Sequence, residues 1–246
     1  MRPPLVLLHG FTQTRQSWRR TANELAGRYR VITPDLPGHG QSAHKTASFD
    51  AVTAYIRALA PETPFTLVGY SMGGRIALRA AFQLPLDRLI LLGASPGIQD
   101  AKEREERKRA DHALADRIEQ IGVEAFAKEW AAQPLFAGMP ERASNAAYAD
   151  RLRNTPQGLA NALRGLGTGV MEPLWDRLPE LQTPVTLITG ERDDKFRALA
   201  EAMLQRLPNA THVTIPNAGH AAQLEDPQAV AEAIHQSGSP SSSASA

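Results

Sequence analysis

Cysteine is absent from this chain. Its absence excludes disulfides, thiolate metal sites and cysteine nucleophiles, and it suits a reducing compartment. No one sign of charge dominates either: 27 Lys and Arg stand against 26 Asp and Glu, for a net charge of +1. That balance favours neither nucleic acid nor an anionic membrane as a partner. Long apolar runs are missing, so no segment reads as a membrane span. The first apolar stretch, Leu5-Val6-Leu7-Leu8, is too short for a signal-peptide core and ends at His9-Gly10. There are no internal repeats. A soluble, cytoplasmic protein is expected, monomeric or weakly self-associating. With 246 residues it can bury a substantial core, as one α/β domain or one domain carrying an insertion.

Short β-rich runs alternate with helical patterns. The strand candidates are Leu5–Leu8, Tyr29–Thr33, Phe65–Val68, Leu89–Leu92, Val185–Thr189 and His212–Ile215. Most are nearly all apolar, as expected of strands covered on both faces. Helical patterns at Trp18–Leu25, Phe49–Leu59, Met72–Phe82, Phe196–Leu207 and Pro227–His235 separate them. This rhythm implies right-handed βαβ units and a mostly parallel sheet with flanking helices. It breaks between about Gly97 and Trp175, where the pattern is helical throughout. The expected organisation is a core of residues 1–96 and 177–236 and a helical cap of residues 97–176. The cap would sit over the strand C-termini, where α/β sheets bind ligands. Residues 237–246 are Ser, Ala, Gly and Pro only, and a disordered tail is expected there.

Gly69-Tyr70-Ser71-Met72-Gly73 reads G-x-S-x-G between the strand Phe65–Val68 and a helical run. A serine at such a strand-to-helix turn presents its hydroxyl at the top of the sheet, which is the nucleophile elbow of α/β-hydrolases. The hydroxyl needs an imidazole to take its proton and a carboxylate to orient that imidazole. In this fold the order along the chain is Ser, acid, His. Asp193 lies in the loop after one strand and His220 in the Ala218-Gly219-His220 loop after the last. Glu191 and Asp194 are rivals to Asp193, with Asp194 also suited to cap the helix that follows. His9-Gly10-Phe11 closes the first strand. The backbone N–H groups of Phe11 and Met72 are the expected oxyanion donors. Asp35-Leu36-Pro37-Gly38-His39-Gly40-Gln41-Ser42 reads mainly as a structural turn, with His39 a weak catalytic candidate.

Several arginines are candidates for the space around this serine. Ala101–Arg109 is a dense charge run, and Glu103–Arg107 and Glu105–Arg109 are i,i+4 pairs consistent with a solvated helix. The apolar stripe Leu114, Ile118, Ile121 continues backwards onto Arg107 and Arg104, which places both on the inward face. Arg75 lies one helical turn after Ser71, and Arg153 has no obvious helical partner. Several guanidinium groups around one serine favour a small-molecule substrate with several carboxylates. Trp130 is an aromatic within the cap, a residue type more often core than ligand wall.

Four strings together resemble a known family: Gly69–Arg75, Ala94–Gln99, Glu103–Asp111 and Gly190–Ala200. They are similar to the 2-succinyl-6-hydroxy-2,4-cyclohexadiene-1-carboxylate synthases, α/β-hydrolase-fold lyases of menaquinone biosynthesis. The resemblance runs from Leu5 to about Ile234. It implies elimination of pyruvate from a carboxylated cyclohexene bearing a succinyl chain, without cofactor or metal. It also implies Ser71, Asp193 and His220 as triad, Phe11 and Met72 as oxyanion donors, and Arg75, Arg107, Arg153, Trp130 and Tyr70 as substrate-binding residues. The sequence departs from the family where Ala131 follows Trp130, since some members carry a second aromatic there. It also begins close to the first central strand, so a shorter sheet edge is expected than in larger hydrolases. Two other readings stay open on the residues alone: a serine ester, thioester or C–C bond hydrolase, and a receptor that keeps the fold without catalysis.

Overall fold

Six strands form one parallel sheet in the order β2-β1-β3-β4-β5-β6. They are β1 (Pro4–Leu8), β2 (Arg30–Ile32), β3 (Phe65–Tyr70), β4 (Leu86–Leu92), β5 (Val185–Gly190) and β6 (Ala210–Ile215). The computed structural model describes residues 2–59 and 64–237. All six expected strands are present, most of them longer than the apolar runs that marked them. Alternation within β1 explains the layering. Val6 and Leu8 enter one core with Leu67, Leu89 and Leu187, while Leu5 and Leu7 enter the opposite core with Val68, Ile90 and Ile188. Full burial of each such side chain is worth about 2 kcal/mol. β6 is an edge strand and only partly covered.

The helices follow the strands: α1 (Arg19–Leu25), α2 (Phe49–Leu59), α3 (Met72–Ala81), α7 (Asp194–Leu204), α8 (Ala222–Glu225) and α9 (Pro227–Gln236). Between β4 and β5 the chain forms α4 (Ala101–Ala131), α5 (Glu141–Arg151) and α6 (Pro156–Leu166), with no strand. α4 bends at Gly122, whose φ of 76° and ψ of 170° are not helical. α4 and α6 share a small core of their own, made of Ala115, Ile118, Phe126, Leu159, Ala160 and Leu163. Polar contacts tie the three helices to the loops at the C-terminal edge of the sheet. The buried Asp150 carboxylate accepts from the Thr14 N–H (2.8 Å) and from the Thr14 hydroxyl. Asn154 donates to the Thr12 carbonyl (2.7 Å) and accepts from the Gly40 N–H (3.0 Å). Apart from Ser237, the expected tail lies outside the described residues. Among the described residues no helix is long and apolar enough to cross a membrane.

Two fully buried histidines, His9 after β1 and His39 in the Asp35–Ser42 turn, tie that turn to the loop after β1. His9 Nε2 accepts from the Leu36 N–H (2.9 Å), and His39 Nε2 accepts from the Thr12 N–H (3.3 Å). His39 is thus a bracket between loops. Burial pushes His9 down to about 4 and His39 to about 3, the latter helped by the neighbouring His9. Both fold neutral, whereas the unfolded chain protonates them near 6.5. Stability is therefore whole above pH 6.5 and drains away as pH falls from there towards 4 and 3. Urea titrations should give a clearly lower midpoint at pH 5 than at pH 7, with a shallower fall in His39→Asn.

Candidate active site

Ser71 joins β3 to α3 as the residue between them, with φ 52° and ψ −110°, backbone that a non-glycine residue seldom adopts. Such a conformation costs about 1–3 kcal/mol and persists where the surroundings enforce it. Here they do: a Cβ on Gly73 would fall 2.5 Å from the carbonyl oxygens of Leu8 and His9, so only glycine lets α3 start so close to β1. The chain reverses direction of growth across the sheet between β1 and β3, and ligands in open α/β sheets bind at that switch point. The loops after β1, β3, β5 and β6 carry Phe11, Ser71, Asp193 and His220.

Three of these side chains meet. His220 Nε2 lies 3.1 Å from Ser71 Oγ, and its Nδ1 lies 2.7 Å from Asp193 Oδ2. Both His220 and Asp193 are buried. A carboxylate at Nδ1 requires the proton on that nitrogen, which turns the Nε2 lone pair towards the serine. The imidazole is wedged between Phe196, 4.4 Å away between ring centres, and Tyr70 at 5.2 Å. The N–H groups of Phe11 and Met72 make no hydrogen bond among the described residues. Both residues line the same cavity as Ser71.

The rivals of Asp193 have other partners. Glu191 accepts from the Asn217 N–H (2.7 Å). Asp194 does not cap α7 as expected. It is the first helical residue and pairs with Arg197 at 3.2 Å, while Asp193 occupies the cap position and gives its carboxylate to His220 instead.

The cavity above Ser71 holds about 820 Å³ and reaches from Phe11 and Trp130 to Arg75 and Arg107. Arg75 is buried, donates to the Leu166 carbonyl (2.8 Å), and is lowered to about 10 by burial and by the nearby Arg107 charge. Arg107 does not pair with Glu103. Its Nε donates to Asp111 (2.7 Å), a buried carboxylate that also accepts from the Gly169 N–H (3.2 Å). That fixes the root of the guanidinium and leaves its Nη atoms free of hydrogen bonds among the described residues. Arg104 instead donates to the carbonyls of Ile98 and Gln99, and it does not line the cavity. Trp130 packs edge-on to Phe11 at 5.3 Å, so it serves as both core and cavity wall.

The match to known proteins is extensive. The model of the Alpha/beta hydrolase family covers residues 5–233. The chain is 38% identical to a putative 2-succinyl-6-hydroxy-2,4-cyclohexadiene-1-carboxylate synthase of Bacillus subtilis, over 91% of this chain and 86% of that one. It is 36% identical to the synthase of that name from Salmonella paratyphi A, over 95% and 93%. The chain belongs to this synthase family. Its structure superposes on MenH from S. aureus with a TM-score of 0.91 and 35% identity, over 96% of this chain and 92% of that one. A malate-bound thermophilic esterase from Thermogutta terrifontis follows at 0.79 and 29%, over 95% and 88%.

Two residues that the family resemblance placed against substrate lie elsewhere. Arg153 is largely exposed, 3.8 Å from Asp150, and is not part of the cavity wall. Tyr70 is buried behind His220, and burial raises its hydroxyl further out of the titrating range. Arg151, two residues before Arg153 and the last residue of α5, is the buried guanidinium here, although it too is absent from the cavity wall. It is buried, sits 5.2 Å over the Phe136 ring, and its Nε has no partner. Burial lowers it from the usual arginine range. Sequence reading also passed over Arg192, Lys195 and Phe196 as wall residues, although all three stand in the Gly190–Ala200 string. Lys195 and Phe196 follow directly from their place in the first turn of α7, beside Asp193.

Proposed function

We propose that this chain is a carbon–oxygen lyase that eliminates pyruvate from 2-succinyl-5-enolpyruvyl-6-hydroxy-3-cyclohexene-1-carboxylate, with Ser71, His220 and Asp193 as its proton relay. The observation that carries this reading is a serine–histidine–aspartate chain opening into a cavity with Arg75 and Arg107 in its wall. The names of two relatives supply the product, a succinylated cyclohexadiene carboxylate.

The bond changes follow from the two ring systems. His220 accepts the Ser71 proton while the serine oxygen removes the proton from ring carbon 2, next to the succinyl ketone. The C–H electron pair becomes the new double bond at carbons 2 and 3. The existing double bond shifts to carbons 4 and 5, and the C–O bond at carbon 5 breaks. The departing enolate of pyruvate takes up the proton held on His220, and Ser71 keeps the proton from carbon 2, so the relay is back in its starting state. Negative charge builds on the succinyl ketone oxygen during this shift. The Phe11 and Met72 N–H groups are suited to hold it, each worth about 3 kcal/mol in such a role. Arg75 and Arg107 would fix substrate carboxylates so that the C–H bond meets the serine oxygen. Residues 97–176 act in this reading as a cap that closes the cavity.

Substrate consumption followed in the ultraviolet, coupled to pyruvate detection, tests the proposal. Rapid pyruvate release with negligible aryl-ester cleavage is expected; the reverse result would place the chain with the hydrolases. Arg107→Ala should raise KM about 10- to 100-fold with a smaller effect on kcat, as loss of a charge-assisted hydrogen bond of about 1.5–3 kcal/mol requires. An unchanged KM would remove Arg107 from the carboxylate site.

A further inference from the structure

Arg192 stands one residue before Asp193, yet its side chain serves three other stretches of chain. Its Nη1 donates to the carbonyl of Gly138 (2.8 Å) and more weakly to that of Ala137 (3.4 Å), both in the segment after α4. Its Nε donates to the Asn217 carbonyl (3.2 Å), in the loop that leads to His220. Its Nη2 donates to Glu225 Oε2 (2.6 Å) in α8. The Glu225 side chain is only 3% exposed, and the same oxygen accepts the N–H of Gly219, the neighbour of His220, at 3.1 Å. Backbone bonds lace the acid and histidine loops together independently, from the Glu191 N–H to Ile215 and the Arg192 N–H to Ala218. What Arg192 adds is the connection to the 134–139 segment, whose Pro134 and Leu135 also line the cavity.

We propose that Arg192 is a positioning residue that couples the seating of the 134–139 segment to the alignment of His220 with Ser71. With the segment down, the guanidinium is held by four acceptors and keeps Glu225 against Gly219. With the segment lifted, it loses the Ala137 and Gly138 carbonyls. It is then held only by the Asn217 carbonyl and Glu225, so Glu225 is fixed less firmly against the Gly219 N–H, the peptide before His220. The serine is therefore most reactive when the cavity is roofed. This rests on the relay assigned above but not on the identity of the substrate.

Gly138 offers a handle on the cap side. Its φ is +72°, and a Cβ there would collide with Arg192 Nη1 while touching no member of the relay. The experiment measures the rate at which a fluorophosphonate probe labels Ser71, alongside kcat and KM for pyruvate release. Wild type, Arg192→Ala, Arg192→Lys and Gly138→Ala are compared, each below its own unfolding onset. Arg192→Ala should label at least tenfold more slowly and lose kcat in proportion, with KM within about threefold. Arg192→Lys should recover part of that loss, since an ammonium can still reach Glu225. Gly138→Ala should slow labelling threefold or more. Wild-type labelling in Arg192→Ala would overturn the coupling. So would a loss there with none in Gly138→Ala, because Arg192 would then only brace the two core loops. A raised KM with unchanged labelling would make it a substrate contact instead. If Arg192→Ala does not fold, the lysine and Gly138 variants still decide. A wild type that labels but releases no pyruvate would refute the lyase reading and leave this test intact.

Discussion

Ser71→Ala is expected to lower pyruvate release by about 10²- to 10⁴-fold, the range that general acid–base catalysis contributes, while the protein stays folded. The variant removes only an oxygen. The distinctive backbone at Ser71 is enforced by the close approach of α3 to β1 at Gly73, and alanine tolerates it no worse than serine. A melting temperature close to wild type should therefore accompany the loss. With Oγ gone, the nearest base is His220 Nε2, which lies 3.1 Å behind the missing oxygen and out of reach of a ring C–H bound in the cavity. A water in the vacated space would rescue the reaction only weakly, which sets the lower end of the range. Activity near wild type would remove Ser71 from the chemistry. The same variant does not by itself separate a serine base from a serine nucleophile. Intact mass of the wild-type enzyme during turnover does: a base leaves the protein mass unchanged, whereas an acyl-serine adds the mass of the bound fragment.

Much of this was legible in the residues because the fold writes itself in period and punctuation. Strands buried on both faces are mostly apolar runs, so β1, β3, β4 and β5 announce themselves. G-x-S-x-G and the Gly219-His220 turn mark where strands hand over to the active edge. Orientation on the helices above the sheet was harder to read. α5 is weakly amphipathic, with buried Asp150 and Arg151 beside exposed Leu152 and Arg153. Polarity therefore does not tell which arginine faces inward. The decisive fact is that Asp150 is drawn to Thr14, across 136 positions of sequence. That contact fixes the rotation of the turn and sends Arg151 under Phe136. Periodicity puts Arg107 and Arg104 on one inward face, and only Arg107 lines the cavity; the Glu103 pair of a solvated helix does not form. Asp111 outcompetes Glu103 because it is buried and already committed to the Gly169 N–H. The role of Arg192 had no local signal at all, since its acceptors lie 25 to 55 positions away.

Asp193→Asn should lose about 10³- to 10⁴-fold in kcat/KM, far more than a neutral swap at either neighbouring acid. The physics is one of tautomers rather than of packing, since Asn and Asp have nearly the same shape. An amide N–H turned towards Nδ1 forces that nitrogen to accept, puts the imidazole proton on Nε2, and leaves no lone pair facing Ser71. Even with the amide oxygen turned inwards, the imidazolium formed during proton transfer loses its adjacent negative charge, in a buried site where that charge counts most. Asp194 provides the control. Its side chain is 91% exposed and paired only with Arg197, so Asp194→Asn should stay within about threefold of wild type, as an exposed ion pair is worth less than about 1 kcal/mol. Glu191→Gln keeps an oxygen for the Asn217 N–H and should likewise cost little. Steady-state pyruvate assays on the three variants check this directly. Equal losses at positions 193 and 194 would mean that the carboxylate acts through the general field of the loop. A loss confined to position 193 assigns the effect to the buried carboxylate in 2.7 Å contact with His220 Nδ1 rather than to the charge of the loop as a whole.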